Sequence, residues 1–414
     1  MSGKSRLAVK EPYFKSLRVL ELASVLAGPA VGAFFAELGA EVIKVENLLT
    51  GGDVTRSWRL RQEAPDSDIS AYFSCVNWGK RSLALDLRQP EALQIVSQLA
   101  ARADIVIANY KPGDAEKLAV DYASLSALNP GLIYAHLTGY GSDNPRSGFD
   151  ALIQAETGFV MLNGEADGPG LKMPVALMDL LAAHQIKEAL LVALLERQIT
   201  GLGAYLPVGL FQSGLVSLAN QAASWLVAKQ DPRRMGSEHP SIVPYGTVYT
   251  TADQGQIMLA IGNDRQFQQL CQFLNCPEFS LDPRFATNPE RVKYRQVLHP
   301  LLQAQIERHP REALLTGFWA LGVPAGALHT VSEALAMPEA QALLLESPLA
   351  AGDASACIRG LRTLAFEPPG GKVALMPPPH LGEHSLAILT ELGLASQAQE
   401  WQARGLLSWP DMLE

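Results

Sequence analysis

The stretch "LRVLELASVLAGPAVGAFFAELGAEVIKVE", residues 17–46, decides the fold. It opens with an apolar run of strand length, LRVLELA (17–23), takes up helical spacing in AVGAFFAELGA (30–40), and ends in a second β-rich run, EVIKVE (41–46). Strand, helix and strand in that span make a βαβ unit, whose two strands run parallel because a helix carries the chain back between them. The pattern then repeats. SLALDL (82–87), a helix through PEALQIVSQLAARA (90–103), DIVIANY (104–110), a helix near 114–126 and LIYAHLTGYG (132–141) extend a largely parallel sheet with covering helices. The N-terminal half is therefore expected to be an α/β domain of Rossmann type.

Beyond it lie two long apolar helices, LLAAHQIKEALLVALLERQ (180–198) and LFQSGLVSLANQAASWLVA (210–228), separated by TGLG and read as spacers. From about 233 to 325 the texture changes: GTVYTTADQGQIMLAIGN (246–263) has a hairpin pattern around Asp253-Gln254-Gly255, followed by helices rich in Gln, Leu and Phe. A turn-rich tail with EPPGGK and MPPPHLGEH precedes a final helix near 384–395. The expected division is a large α/β domain over 1–205, a helical linker over 206–232, a smaller α+β domain over 233–325, and a return segment over 326–414 that completes the large domain.

Composition narrows the function classes. With 414 residues, 48% of them hydrophobic, the chain can bury two cores. A formal net charge of −9 removes the broad basic footprint that nucleic acid or anionic membrane requires, so a polyanionic ligand must find a local cluster of cations. Neither nucleic acid nor membrane is an expected partner. Cys75, Cys271, Cys276 and Cys357 lack metal-type spacing and imply no disulfide framework. Among the histidines, His380 and His384 are four apart in a Pro-rich turn, His184 is read as packing or capping, and His136, His329, His380 and His384 as structural; no metal is expected. No apolar run has signal-peptide or transmembrane character, which points to a cytoplasmic protein.

The turn ASVLAGPAVG invites a dinucleotide reading, since Glu46 closes the second strand 18 residues after Gly28. The glycine pattern does not support it. Only Gly28 and Gly32 are present, and Pro29 removes an amide that a pyrophosphate would use. A tight turn with Pro at the helix start and Glu46 as a solvated strand end is the plainer reading.

In KMPVALMDLLAAHQ (172–185), Asp179 is the one acidic group among apolar neighbours. It can cap the helix that follows. Alternatively it is a nucleophile: a carboxylate that attacks a thioester gives an anhydride active enough to react with the departing thiolate, and a helix N-terminus helps to keep it ionised. On the residues alone the cap is the simpler role.

Taken in order, LAGPAVGAFFAELGAEVIKVE, GGDVTRSW, NWGKRSLALDLRQPE, DIVIANYKPG, LTGYG, GFDALIQAETG and VALMDL resemble the N-terminal half of the class III CoA-transferases. HPSIVPYGTVYTT, GVPAGALHTVSEAL and PPPHLGEH continue the likeness, which runs from about 17 to 395. Each block is weak alone; their fixed order is the signal. The resemblance implies that Asp179 is the nucleophile and that CoA and acyl-CoA are substrates, with no permanently bound cofactor. It implies that Val25, Leu26 and Ala27 line the start of the CoA cleft, that Leu85, Leu87 and Arg88 surround the adenosine end, and that Asn109, Lys111, Lys117 and Leu118 follow the phosphates and pantetheine. Thr138 stands where some relatives carry Lys, Tyr140 falls in the substrate block and His239 near the acyl pocket; Lys80-Arg81 is a second basic pair that fits either the cofactor or a strand edge.

The partners implied are acyl-CoA, small carboxylic acids and a second copy of the chain, in a homodimer whose chains interlock with the cleft between large and small domains of different protomers. Departures from the pattern are Asn47, Thr138, Ala183, Gly209 and MGSEHPSIVPYG (235–246) in place of a multi-glycine loop, which turns the reading from formyl-CoA toward succinyl-CoA and dicarboxylates. A racemase branch of the same fold places His where this chain has Phe149, a side chain that carries no proton. A nucleotide-binding oxidoreductase is the other alternative, disfavoured by the missing glycine turn.

Overall fold

The structure, a computed structural model, describes residues 13–348 and 357–410. Its main sheet holds seven strands: β1 (Arg18–Leu22), β2 (Glu41–Asn47), β3 (Arg81–Leu85), β4 (Ile105–Ala108), β5 (Ile133–Thr138), β6 (Ala204–Gly209) and β12 (Leu407–Ser408). Their order is β12-β3-β2-β1-β4-β5-β6, with β12 antiparallel to β3 and every other pair parallel. This is a mixed α/β fold with a parallel-dominated central sheet. β7 (Tyr245–Thr250), β8 (Gln256–Ala260) and β9 (Ala325–Ala327) form a separate antiparallel sheet, and β10 (Leu344–Pro348) pairs with β11 (Cys357–Leu361).

Helices cover both faces of the main sheet, as a parallel sheet requires. α1 (Ala27–Glu37) is buried along its whole length. On the opposite face, α2 (Pro90–Ala100) directs Ala92, Ile95, Val96 and Leu99 into a core with Leu20, Leu83 and Val106, completed by Ile388, Leu389 and Trp401 from the tail. α3 (Asp150–Glu156) is short, and α4 (Leu177–Thr200) is the longest helix described. α4 buries Met178, Ala182, Ala183, Ile186, Leu190, Ala193 and Leu194, a stripe of helical period, so it is a covering layer of the sheet and not a spacer. The next helix, α5 (Leu210–Ser217), follows β6 directly.

Several expectations are corrected. The helix expected near 114–126 is two, Asp114–Lys117 and Tyr122–Leu128. The helix expected over 210–228 breaks between Ser217 and Asn220, where Ala219 has φ +45°. The helical linker expected from 206 begins instead inside a strand, β6; it carries Pro207, which an edge strand accommodates because its second side needs no ladder hydrogen bonds.

Glu46 is not a solvated strand end. It is buried, accepts two bonds from Arg56 (2.7 and 2.8 Å) and takes the Ser82 hydroxyl at 2.6 Å. Nor does the Lys80-Arg81 pair face a cofactor. Arg81 ties Glu41 to Glu391, while Lys80 is completely buried and donates to Glu21 at 2.7 Å, the Pro29 carbonyl at 2.8 Å and Asn77 at 3.0 Å.

Glu21 thus sits inside the sheet with a lysine on either side, Lys44 being 2.9 Å from its other oxygen. Burial alone would depress the Lys44 ammonium, but Glu21 and Asp53 outweigh it and hold its pKa above the usual value. For Lys80 burial wins, with the Lys44 charge adding to it, and the pKa falls to about 8. Gly32 on α1 makes room for the group: a Cβ there would stand 1.9 Å from Glu21 Oε2.

The chain divides into two compact units. One runs to Thr157, resumes over Pro174–Ala222 and closes with the described residues from Ala342 onward. The other takes Gly158–Met173 and Ala223–Gln341. Its core packs the β7–β9 sheet against helices Asp264–Phe273, Arg295–Ile306 and Arg311–Ala320, with Phe267, Leu298 and Phe318 at the centre. β7 and β8 form the hairpin expected around Asp253-Gln254-Gly255, with Gln254 at φ +61°.

Candidate active site

β1 and β4 are neighbours in the sheet although 87 residues separate their starts, Arg18 and Ile105 being joined through β2 and β3 on one side only. Chain order reverses between them, so the turns leaving their C-terminal ends diverge and open a crevice, the usual ligand position in such sheets. Asn109 staples the two turns together: its amide donates to the Ser24 carbonyl at 2.9 Å, and its Oδ1 accepts the Ser24 N–H at 3.3 Å. Val25 adopts φ +75°, an unfavourable conformation for a β-branched residue. Its N–H is held by both Asp53 oxygens at 3.2 Å, and Asp53 is itself anchored 2.9 Å from Lys44. The buried charge network therefore shapes the turn.

The crevice continues along Leu137, Thr138 and Gly139 at the end of β5, past the loop bearing Asn144 and Arg146, to Asp150 and Asp179. Asp179 is the third residue of α4, behind Ala176 as the cap residue, so the capping role is not its own. Asp150 fills that role from α3: its Oδ1 accepts the Met178 N–H at 2.8 Å. The expectation that the helix terminus keeps Asp179 ionised is also corrected. Burial, helped by the Asp150 charge, pushes the Asp179 carboxyl up to about 7. The first-turn amide that would have favoured its anion is already given to Asp150.

Of the residues named from sequence, Val25, Leu26, Ala27, Asn109, Lys111 and Thr138 line one crevice with Asp179. The rest lie outside it. Leu85 is fully buried in β3, and Leu87 and Leu118 pack against the core on the α2 side. Arg88 and Lys117 are exposed and pair with Asp86 and Asp114. Tyr140 has the Arg146 guanidinium over its ring at 4.1 Å and Phe211 beside it. His239 belongs to the other unit, where its ring accepts the Ser241 N–H. His136 is structural, with Nε2 donating to the Tyr110 carbonyl and Nδ1 accepting from Tyr205, whereas His184 is exposed on α4 and neither packs nor caps. Sequence reasoning missed Asp53, Arg146 and Asp150. All three fall within or beside quoted blocks, but Asp53 and Asp150 act on Val25 and Met178, each 28 residues away in the chain.

Comparison with known proteins agrees with this geometry. The model of CoA-transferase family III matches residues 14–385. The chain is similar to a succinate–glutarate CoA-transferase of Agrobacterium fabrum (38% identity, 92% of this chain and 96% of the relative). It is also similar to a succinyl-CoA:glutarate CoA-transferase of Mus musculus (34% identity, 91% and 86%). Among solved structures, a CAIB/BAIF family protein from Brucella suis superimposes with a TM-score of 0.81 at 37% identity, over 92% of this chain and all of that one. A match along nearly the whole length, joined to a crevice that brings the Asp179 carboxyl together with the turns after β1 and β4, settles the assignment: the chain belongs to CoA-transferase family III.

Proposed function

We propose that this CoA-transferase moves CoA from succinyl-CoA to a second dicarboxylic acid, with Asp179 as the covalent carrier. One observation carries the reading: the Asp179 carboxyl lines the same crevice as the turns at Val25–Ala27 and Asn109–Lys111. The names of the relatives favour dicarboxylates, and Lys111 and Arg146 bring positive charge to the crevice for a second carboxylate or a phosphate.

The steps balance without any further reactant. The Asp179 oxygen attacks the thioester carbonyl and expels CoA thiolate, leaving a mixed anhydride. The thiolate attacks the aspartyl carbonyl, releasing the donor acid and leaving an aspartyl-CoA thioester. The acceptor carboxylate then displaces the thiolate again, and the thiolate takes the acceptor's acyl group, regenerating Asp179. CoA enters and leaves as substrate, and this chemistry calls on no resident cofactor.

In this reading the large unit is a Rossmann-like CoA-binding domain. The crevice residues hold the thioester end, Thr138 and Tyr140 border the substrate, and Leu87, Arg88, Lys117 and Leu118 serve the adenosine end, with Arg88 and Lys117 exchanging carboxylate partners for phosphate; Leu85, fully buried, is withdrawn from that set. The enzyme works in the cytoplasm, where CoA thioesters are made and used. No helix among the described residues is long and apolar enough to cross a membrane. Assay of acyl-CoA donors against mono- and dicarboxylic acids, read by product thioester, tests the reaction. Transfer from succinyl-CoA to C4–C6 dicarboxylates is expected, and a preference for monocarboxylates would overturn the substrate class.

The proposal includes an interlocked homodimer. Val192, Leu195, Ile199 and Leu202 are exposed on and just after α4, and Trp225, Leu226 and Val227 are exposed in the other unit, more apolar surface than soluble monomers usually leave open. A dimer burying more than about 2,000 Å² is expected. Sedimentation at nanomolar concentration checks it; a stable, active species of 44.6 kDa would exclude it.

A further inference from the structure

Asp150 is 29 residues before Asp179, on a different helix, yet both carboxyls line the crevice. Each Asp150 oxygen has a fixed partner. Oδ1 accepts the Met178 N–H at 2.8 Å, and Oδ2 accepts the Gln154 side-chain amide at 2.8 Å. Gln154 is completely buried, and its amide also reaches the Val175 carbonyl at 3.5 Å, just ahead of α4. One carboxylate thus joins the first turn of α3 to the first turn of α4, bonding to the residue directly before Asp179. A carboxylate committed to two N–H donors is held in one orientation.

We propose that Asp150 is a positioning residue for the nucleophile: it clamps the first turn of α4 so that Asp179 faces the crevice, and it sets a second carboxylate beside that of Asp179. The inference rests on Asp179 being the nucleophile. It assigns Asp150 two separable actions, one through the hydrogen bond and one through charge. A more basic carboxylate is a better nucleophile toward a thioester, provided that the pH lies above its own pKa. Burial and the Asp150 charge, which together lift Asp179 to about 7, act in that direction.

Other groups near Asp179 do not duplicate the effect. Tyr72, on the short helix Ala71–Ser74, is pushed up to about 12 by burial and by the Asp179 charge, and so remains neutral through the working range. Arg146 is paired with Glu156, and Lys111 is exposed at the mouth. Among the helices packed along α4, α5 has no charged residue, and the one charged residue of α1, Glu37, sits at its C-terminal end and acts on Lys187.

Three substitutions separate the actions. Asp150→Asn keeps an oxygen for the Met178 N–H and removes the charge. Its acidic limb in the pH profile of kcat should move down by about half a unit or more, with a several-fold lower plateau. Asp150→Glu keeps the charge and displaces it by one methylene, so the limb should stay near its wild-type position while kcat falls roughly 10- to 100-fold. Asp150→Ala should show both changes, with KM for acyl-CoA within a few-fold of wild type. Circular dichroism and the retained KM establish that each variant is folded. Asp179→Asn is assayed alongside. If it still transfers CoA, the nucleophile reading fails; if it is inactive and Asp150→Asn keeps the wild-type limb, the present inference alone is overturned.

Discussion

Asp179→Asn is expected to lower kcat by about 10⁴-fold or more under the proposed mechanism, in which removal of the covalent carrier leaves only binding and orientation to act on the thioester. The same variant is expected to be more stable than the wild type above pH 7. The sign follows from linkage. With a folded pKa near 7 and an unfolded value of 3.8, the native state binds more protons than the unfolded chain between those limits. Stability therefore declines as pH rises from about 4 to 7, and the cost is complete above 7. Asparagine carries no such cost at any pH. Two measurements check the pair of claims. Hydroxylamine should inactivate the wild type only when acyl-CoA is present and mark the peptide containing Asp179, and it should leave the Asn variant unmodified. Melting curves at pH 5 and pH 8 should show the variant's advantage growing with pH; an advantage equal at both would remove the buried-carboxyl account.

The second large effect concerns Glu21. Glu21→Gln keeps the shape and removes the charge that faces both Lys44 and Lys80, leaving two buried ammonium groups with Asp53 as the nearest remaining anion on Lys44. Breaking a buried ion network from one side costs about 3–5 kcal/mol. Gly32→Ala should do comparable harm by a different route, since the new Cβ would meet Glu21 Oε2 at 1.9 Å and force the carboxylate away from Lys80. Urea denaturation compares the three proteins directly. Glu21→Met combined with Lys80→Met should recover part of the loss, as apolar replacement of a whole buried pair often does. A Glu21→Gln midpoint equal to the wild type would mean that solvent reaches the lysines. Because Lys44 also anchors Asp53, and Asp53 holds Val25, the same variant should weaken acyl-CoA binding without touching the crevice itself.

How far the chain could be read from its residues depended on the range of the interaction. The βαβ unit at 17–46 was legible because its periodicity is local, and the parallel sheet followed from repetition. β6 was not, because AYLPVG is short, contains Pro207 and follows a glycine turn; only its pairing with β5 makes it a strand. β12 has two residues and no pattern of its own. Lys44, Glu46 and Lys80 look like ordinary surface charges in sequence, and their burial arises from carboxylates, an arginine and carbonyls on other segments. At the site, Asp179 stood out by its apolar surroundings and by the ordered blocks. Asp150 did not, since the pattern GFDALIQ gives no sign that its carboxylate reaches the amide of Met178.

The split of the chain into units has a consequence for biosynthesis. Asp150 and Asp179 belong to one unit, but residues 158–173 between them are built into the other, whose remaining residues are not complete until Gln341. A nascent chain emerging from the ribosome has made both carboxyls long before it has made the body that holds the segment joining them. The segment that joins the two carboxyls therefore finds the rest of its own unit only after both carboxyls have been made, and β12 completes the far sheet edge later still. A chain truncated after Ala222 would keep every residue of the crevice yet leave residues 158–173, which link its two carboxyls, without the unit they are built into.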